Sequence, residues 1–202
     1  MAQLRRRLFI DKKTSSRERE KMIYLAAENE CNTLVFSMDD NFFKSKNKNY
    51  IKLIRNKALN IEAGGRDLPL LVPKRLFYAN RELFRMEQGS RKNDRHFCPT
   101  NPETIKLIKE NTCKWLECIL QYVTPPRIFH LLPEENHQNT WCACPACRAF
   151  SPAEQYLIAV NCFADALAKF DNEARISYID YETEPDAEGI SPRKNVFSSL
   201  LL

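Results

Sequence analysis

The feature that most constrains this chain is a regular alternation of short apolar runs with longer amphipathic segments. Leu8-Phe9-Ile10, Thr33-Leu34-Val35-Phe36, Ile61-Glu62-Ala63, Arg127 to Leu132, Ile176 to Tyr181 and Asn195-Val196-Phe197 read as strands. The segments between them carry helix signals. Ser15 with Glu18 forms a capping box ahead of the apolar face Met22, Ile23, Ala26 and Ala27, ending near Asn29. Tyr50, Ile51, Ile54 and Ala58 give a second amphipathic helix. Thr100, Pro102 and Glu103 open a third, with Ile105, Ile108, Trp115, Leu116 and Ile119 on its apolar face. Ser151-Pro152-Ala153-Glu154 opens a fourth, which runs to about Phe170.

Strands alternating with helices imply parallel pairing through right-handed crossovers. Two architectures fit: an open doubly wound sheet and a (β/α)8 barrel. No Gly-x-Gly-x-x-Gly follows a strand, which weakens the dinucleotide-binding version of the open sheet. The alternation gives about five and a half βα units in 202 residues, whereas a whole barrel takes roughly 250 residues. The expectation is therefore a partial TIM-type barrel of parallel strands. No repeat or Gly/Ser linker interrupts the chain, so residues 1–202 read as one domain, incomplete at its C-terminus.

Composition narrows the function classes. With 44% hydrophobic and 28% charged residues the chain is globular in type. No apolar run approaches the ~18 residues of a membrane helix, and Met1 to Arg7 lacks the apolar core of a signal peptide. No membrane partner and a cytoplasmic location are expected. The net charge is +5, with eight Lys/Arg and three acids between Arg5 and Lys21, and seven acids against Arg175 between Asp171 and Glu188. Because Arg5, Arg6 and Arg7 lead into an apolar strand, and Arg17, Arg19 and Lys21 alternate with Glu18 and Glu20, they read as a solvated strand and helix. A nucleic-acid surface is not expected.

Three groups of residues could carry chemistry. Trp141-Cys142-Ala143-Cys144-Pro145-Ala146-Cys147 places three thiols within six residues, a spacing that suits zinc. Zinc wants a fourth ligand, for which Cys98, His96, His137 and Cys162 are candidates; a tight turn of half-buried thiols is the other reading. Cys31, Cys113, Cys118 and Cys162 read as core residues. Glu134 and Glu135 follow Pro133 at the C-terminal end of a strand, where (β/α)8 enzymes carry their catalytic groups. Glycoside hydrolysis commonly needs two carboxyl groups, one protonated and one ionised. His130 reads as a core histidine or as part of the mouth.

The remaining cluster is Tyr178, Asp180, Tyr181, Glu182 and Thr183 at a strand end, where aromatic hydroxyls beside carboxylates suit a sugar. Only four glycines occur in the chain, against an average near ~7%. Two of them, Gly64-Gly65, offer close backbone approach at the same rim, followed by Arg66 and Asp67. The long connection from Arg66 to Cys98 is rich in Leu70, Leu71, Phe77, Leu83, Phe84 and Phe97 and is expected to pack.

In order along the chain, Ile61 to Gly65, Leu71 to Phe77, Glu82 to Met86, Gly89 to Arg91, Phe97 to Pro102, Phe129 to Glu135 and Trp141 to Arg148 resemble the bacterial domain of unknown function 4838. Gln155, Val160-Asn161, Tyr181 to Thr183 and Pro192 to Phe197 extend the likeness. The resemblance implies a glycoside-hydrolase-like (β/α)8 barrel, related in layout to hexosaminidase and α-glucuronidase barrels, with carbohydrate as ligand. Where that family usually has Gly-Gly-His or Gly-His, this chain has Gly64-Gly65-Arg66; where it usually has an acidic pair rich in Asp, this chain has Glu134-Glu135. The family pattern continues past Phe197, so Ser198 to Leu202 resembles a truncated end. The expected function is that of a carbohydrate-active protein and O-glycosyl hydrolase, with a non-catalytic glycan-binding or structural domain as the alternative. Glu134 and Glu135 are the expected catalytic pair, and Gly65, Arg66, Asp67, His130, Tyr178, Asp180 and Tyr181 the expected sugar-binding residues.

Overall fold

A computed structural model of the chain describes residues 4–43, 48–133, 141–179 and 189–199. In chain order the elements are β1 (Arg7–Ile10), α1 (Ser16–Glu28), β2 (Thr33–Phe36), α2 (Lys48–Asn56), β3 (Asn60–Gly65), a small hairpin of β4 (Met86–Glu87) and β5 (Ser90–Arg91), α3 (Pro102–Ile119), β6 (Ile128–Leu131), α4 (Pro152–Leu167), β7 (Arg175–Ile179) and β8 (Val196–Ser199). Six strands form one sheet in the order β1-β2-β3-β6-β7-β8, and every neighbouring pair is parallel.

That order rises along the chain without reversing. A doubly wound sheet reverses its order at a switch point, and none occurs here. With right-handed crossovers, a monotonic order keeps the helices on one face. The result is the partial TIM-type barrel expected from the alternation, with the C-terminal ends of all six strands along one rim.

The core lies between sheet and helices. Leu34, Phe36, Ile61, Ala63, Phe129, Leu131 and Ile176 are buried against Ile23, Ile54, Ile108, Leu116, Val160, Phe163 and Leu167. Because strand side chains alternate, the intervening residues Phe9, Val35, Glu62, His130 and Ser177 share the opposite, inner face. Phe9 is 45% exposed there. No helix among the described residues is long and apolar enough to cross a membrane.

Local signals explain most boundaries. Ser15 and Ser151 both form full capping boxes with Glu18 and Glu154. At α3 the cap is Asn101, whose side chain accepts from the N–H groups of Glu103 and Thr104, rather than Thr100; Thr100 is drawn instead to the sulfur of Cys147 at 3.0 Å. The connection after β3 packs largely as expected: Leu71, Phe77, Leu83, Phe84 and Phe97 are buried together with Leu68, while Leu70 is half-buried.

Two expectations need correction. Arg5, Arg7 and Arg19 are not a solvated basic face. Arg19 is buried and forks onto Asp40 at 2.7 and 2.9 Å, while Arg5 and Arg7 reach inward to Glu62. Of the four cysteines read as core, Cys162 is buried, but Cys31 and Cys113 are half-buried and Cys118 is exposed.

Candidate functional site

At the rim, the ends of β1, β2, β3 and β6 enclose a cleft of about 450 Å³ lined by Phe9, Ile10, Asp11, Lys12, Ser37, Gly64, Gly65, Arg66, Asp67 and Leu132. Gly64 and Gly65 have φ of +132° and +142°, a region that residues with a Cβ rarely enter. A Cβ on Gly64 would lie 2.0 Å from the carbonyl oxygen of His130, so glycine is also a packing requirement there. A Cβ on Gly65 would meet nothing within 4 Å. Space above the Gly65 backbone is therefore open.

Asp67 is the buried acid of this cleft, 3% exposed. Its carboxylate accepts from Ser37 Oγ at 2.6 Å and from the Met38 N–H at 2.8 Å. Burial pushes its pKa up to about 6 against the pull of those two donors; Asp39 adds to the rise and Lys12 opposes it. Lys12 in turn pairs with Asp39 at 3.1 Å. An acid poised near neutrality in a strand-end cleft can bind, donate or accept a proton. Arg66, beside it in the chain, is exposed.

Below the rim, the inner face carries a polar network. His130 lies 2.6 Å from Ser177 Oγ through Nδ1 and 2.6 Å from Glu62 Oε2 through Nε2. Glu62 is fully buried and also accepts from Arg5 Nη1 and Arg7 Nε, each at 2.6 Å. Burial alone would raise Glu62, but hydrogen bonds from His130, Arg7 and Arg5 outweigh it and bring the carboxyl to about 2. Burial lowers the His130 pKa against the pull of the Glu62 carboxylate, which favours the neutral imidazole. An ionised Glu62 can only accept, which puts the proton of His130 on Nε2 and leaves Nδ1 to accept from Ser177. Sequence reading missed Glu62 and Ser177. The available signal was a carboxylate in the middle of an otherwise apolar parallel strand, where strands are buried on both faces.

The thiols form a second centre. Cys98, Cys142, Cys144 and Cys147 are all buried, and their sulfur atoms lie within 4.8 Å of one another. Cys98 Sγ is 3.7 Å from Cys144 Sγ and 3.6 Å from Cys147 Sγ. The four residues could hold a metal ion. The carrier loop is scaffolded by Gln155 on α4, which accepts from the Cys142 N–H at 3.0 Å and turns its amide toward the carbonyls of Cys142, Cys147 and Phe150. The Met86 N–H points at Cys142 Sγ at 3.2 Å, and the Arg91 guanidinium stands 3.8 Å from the same atom. Hydrogen bonds from Cys142 and Cys147 lower the Cys98 thiol far below its usual range. Of the described candidates for the remaining ligand, Cys98, His96 and Cys162, Cys98 is the one brought to the other three.

The sequence-derived residues thus fall into groups. Gly65, Arg66 and Asp67 line the cleft together. His130 lies beneath it, 3% exposed. Tyr178 follows the inward Ser177 and points to the helix side of β7, edge-on to Tyr156 at 6.0 Å. That places its ring away from the inner face. Glu134, Glu135, His137, Asp180, Tyr181, Glu182 and Thr183 lie outside the described residues.

No family model matches the chain, and no curated protein matches it either. Solved structures do match. One is a tandem GH20 catalytic module of the pneumococcal exo-β-D-N-acetylglucosaminidase StrH, with a TM-score of 0.63 at 11% identity over 96% of this chain and 58% of that one. Another is the GH20 exo-β-N-acetylglucosaminidase from Vibrio harveyi, with a TM-score of 0.59 at 17% identity over 98% of this chain and 38% of that one. The chain therefore spans less than two thirds of either structure. At these identities the likeness is one of fold alone, a partial (β/α)8 barrel.

Proposed function

We propose that this is a carbohydrate-active protein whose ligand enters the rim cleft, and that it belongs with the domain of unknown function 4838. The observation that carries the reading is the cleft itself: a cavity at the C-terminal strand ends of a barrel whose solved likenesses are glycosidases, containing a buried acid and an exposed guanidinium. Gly65 opens room for a sugar ring, Asp67 bonds its hydroxyls, and Arg66 offers a forked donor. Glu134 and Glu135, which follow β6 in the chain, supply the general acid and its partner carboxylate, with Asp180 and Tyr181 completing the binding surface.

The test is isothermal titration and turnover of aryl β-N-acetylglucosaminides and aryl glycosides of uronic acids. Turnover lost in both Glu134→Gln and Glu135→Gln supports hydrolysis. Binding without turnover makes the protein a glycan-binding module, and neither binding nor turnover removes the carbohydrate reading.

Zinc is the metal assigned to the four-cysteine centre, as a structural tie. A tetrahedron of Zn–S bonds of about 2.3 Å has S···S edges of about 3.8 Å, close to the 3.6 and 3.7 Å separations around Cys98. Four protein thiolates leave no open coordination position, which suits a structural site and not a catalytic one. The tie joins the connection after β3 to the loop ahead of α4.

A further inference from the structure

The cleft holds an arrangement of atoms that cannot be satisfied by hydroxyl protons alone. Ser37 Oγ lies 2.6 Å from Asp67 Oδ1 and 2.7 Å from Asp39 Oδ1. A serine hydroxyl has one proton to donate, and an ionised carboxylate can only accept. With both acids ionised, one of those two contacts would set lone pairs against lone pairs. Both are satisfied when one carboxyl is protonated: it donates to Ser37 Oγ, and Ser37 donates onward to the other carboxylate.

Resting on the carbohydrate reading of the cleft, we infer that Asp67 and Asp39 share a single proton through Ser37, and that losing this proton costs Ser37 its contact with Asp39 at the exposed edge of the cleft while the contacts from Ser37 and Met38 to Asp67 are kept. The surrounding charges support a proton on the Asp67 side. From the β1 end, Lys12 contacts Asp39 at 3.1 and 3.4 Å and sets a positive charge beside it. From the β2 end, Asp40 is occupied by Arg19 of α1 and by the Phe42 N–H. Asp11 and Arg66 line the open side of the cleft, and β6 contributes the apolar Leu132. Of the two acids on Ser37, Asp67 is the deeply buried one, so ionisation is opposed there.

When the proton leaves, Ser37 keeps one partner and turns its oxygen lone pairs on the other. The Met38 N–H still holds Asp67 Oδ2, so the contact given up is the one from Ser37 to Asp39, on the exposed side.

Carboxyl-carbon NMR of the full chain, titrated without ligand, tests this. Asp67 is expected to titrate near pH 6. Asp39→Asn removes the neighbouring negative charge, and the Asp67 midpoint should fall by about half a pH unit or more. Asp39 is partly exposed, so this variant should fold; Lys12→Met serves as a second variant and should move the midpoint up. An Asp67 that titrates in the ordinary aspartate range, or one unmoved by Asp39→Asn, overturns the shared proton. Titrating N-acetylglucosamine as a probe separates the two claims: a cleft that binds no sugar while the coupled titration persists refutes the carbohydrate reading alone.

Discussion

His130 and Glu62, separated by 68 positions in sequence, meet at 2.6 Å on the inner face of the sheet, where Glu62 is fully buried. The contact spans β3 and β6 and fixes the tautomer of the imidazole. Replacing Glu62 with Gln would leave Arg5 and Arg7 without their carboxylate. Breaking one side of a buried ion pair costs about 3 kcal/mol or more. The urea midpoint of Glu62→Gln should fall accordingly, whereas Ser177→Ala should cost only about 1 kcal/mol.

Glu62 and Asp67 give stability opposite dependences on pH. Glu62 drops from 4.5 to about 2 on folding, so its contribution is complete above pH 4.5 and disappears as pH falls toward 2. By linkage that amounts to about 3 kcal/mol. Asp67 rises from 3.8 to about 6; the folded state holds its proton more tightly, so stability declines as pH rises from about 4 to 6. Urea unfolding across pH 2 to 8 should show the first trend in the native chain. Asp67→Asn should abolish the second.

The two rim glycines should respond unequally to alanine. Gly65→Ala meets open space but an unfavourable φ of +142°, at a cost of about 1–3 kcal/mol. Gly64→Ala carries the same backbone penalty and also drives its Cβ to 2.0 Å from the His130 carbonyl oxygen. It should be the more destabilising of the two by thermal melting, and equal losses would contradict the close approach of β3 and β6.

Purified protein should contain about one zinc per chain by elemental analysis. Stripping it with a chelator, or substituting Cys98→Ser, should lower Tm by about 10 °C, the effect of a ligand present at a thousand times its Kd. Gln155→Ala should weaken metal retention without removing a sulfur, because the amide holds the loop that carries three of the four thiols.

Local chemistry was the most readable part of the sequence. The Ser15 and Ser151 caps depend on residues three positions apart, and both form. The strand alternation left two architectures open, and only pairing order separates them. Cys98 could not be chosen over His96, His137 or Cys162 because its proximity to Cys144 spans 46 positions and depends on how the connection after β3 folds back. The Glu62–His130–Ser177 network was hidden for the same reason: each member looks ordinary within its own strand. Arg5 and Arg7 misled because a charged strand entrance reads as solvated until its buried counterion is known. The shift of the α3 cap from Thr100 to Asn101 reflects competition, since the Thr100 hydroxyl is engaged by Cys147.

The long excursion after β3 is held at its root by the strand and at its far end by the sulfur cluster, with the tight turn at Gln88 and Gly89 between them. Both of those residues have positive φ and sit on the hairpin away from the cleft wall. A segment anchored at both ends tolerates extra residues at its tip, since the closure entropy grows only with the logarithm of length. The hairpin tip is therefore the natural place to graft a peptide tag or fluorophore that reports on this protein without disturbing its rim.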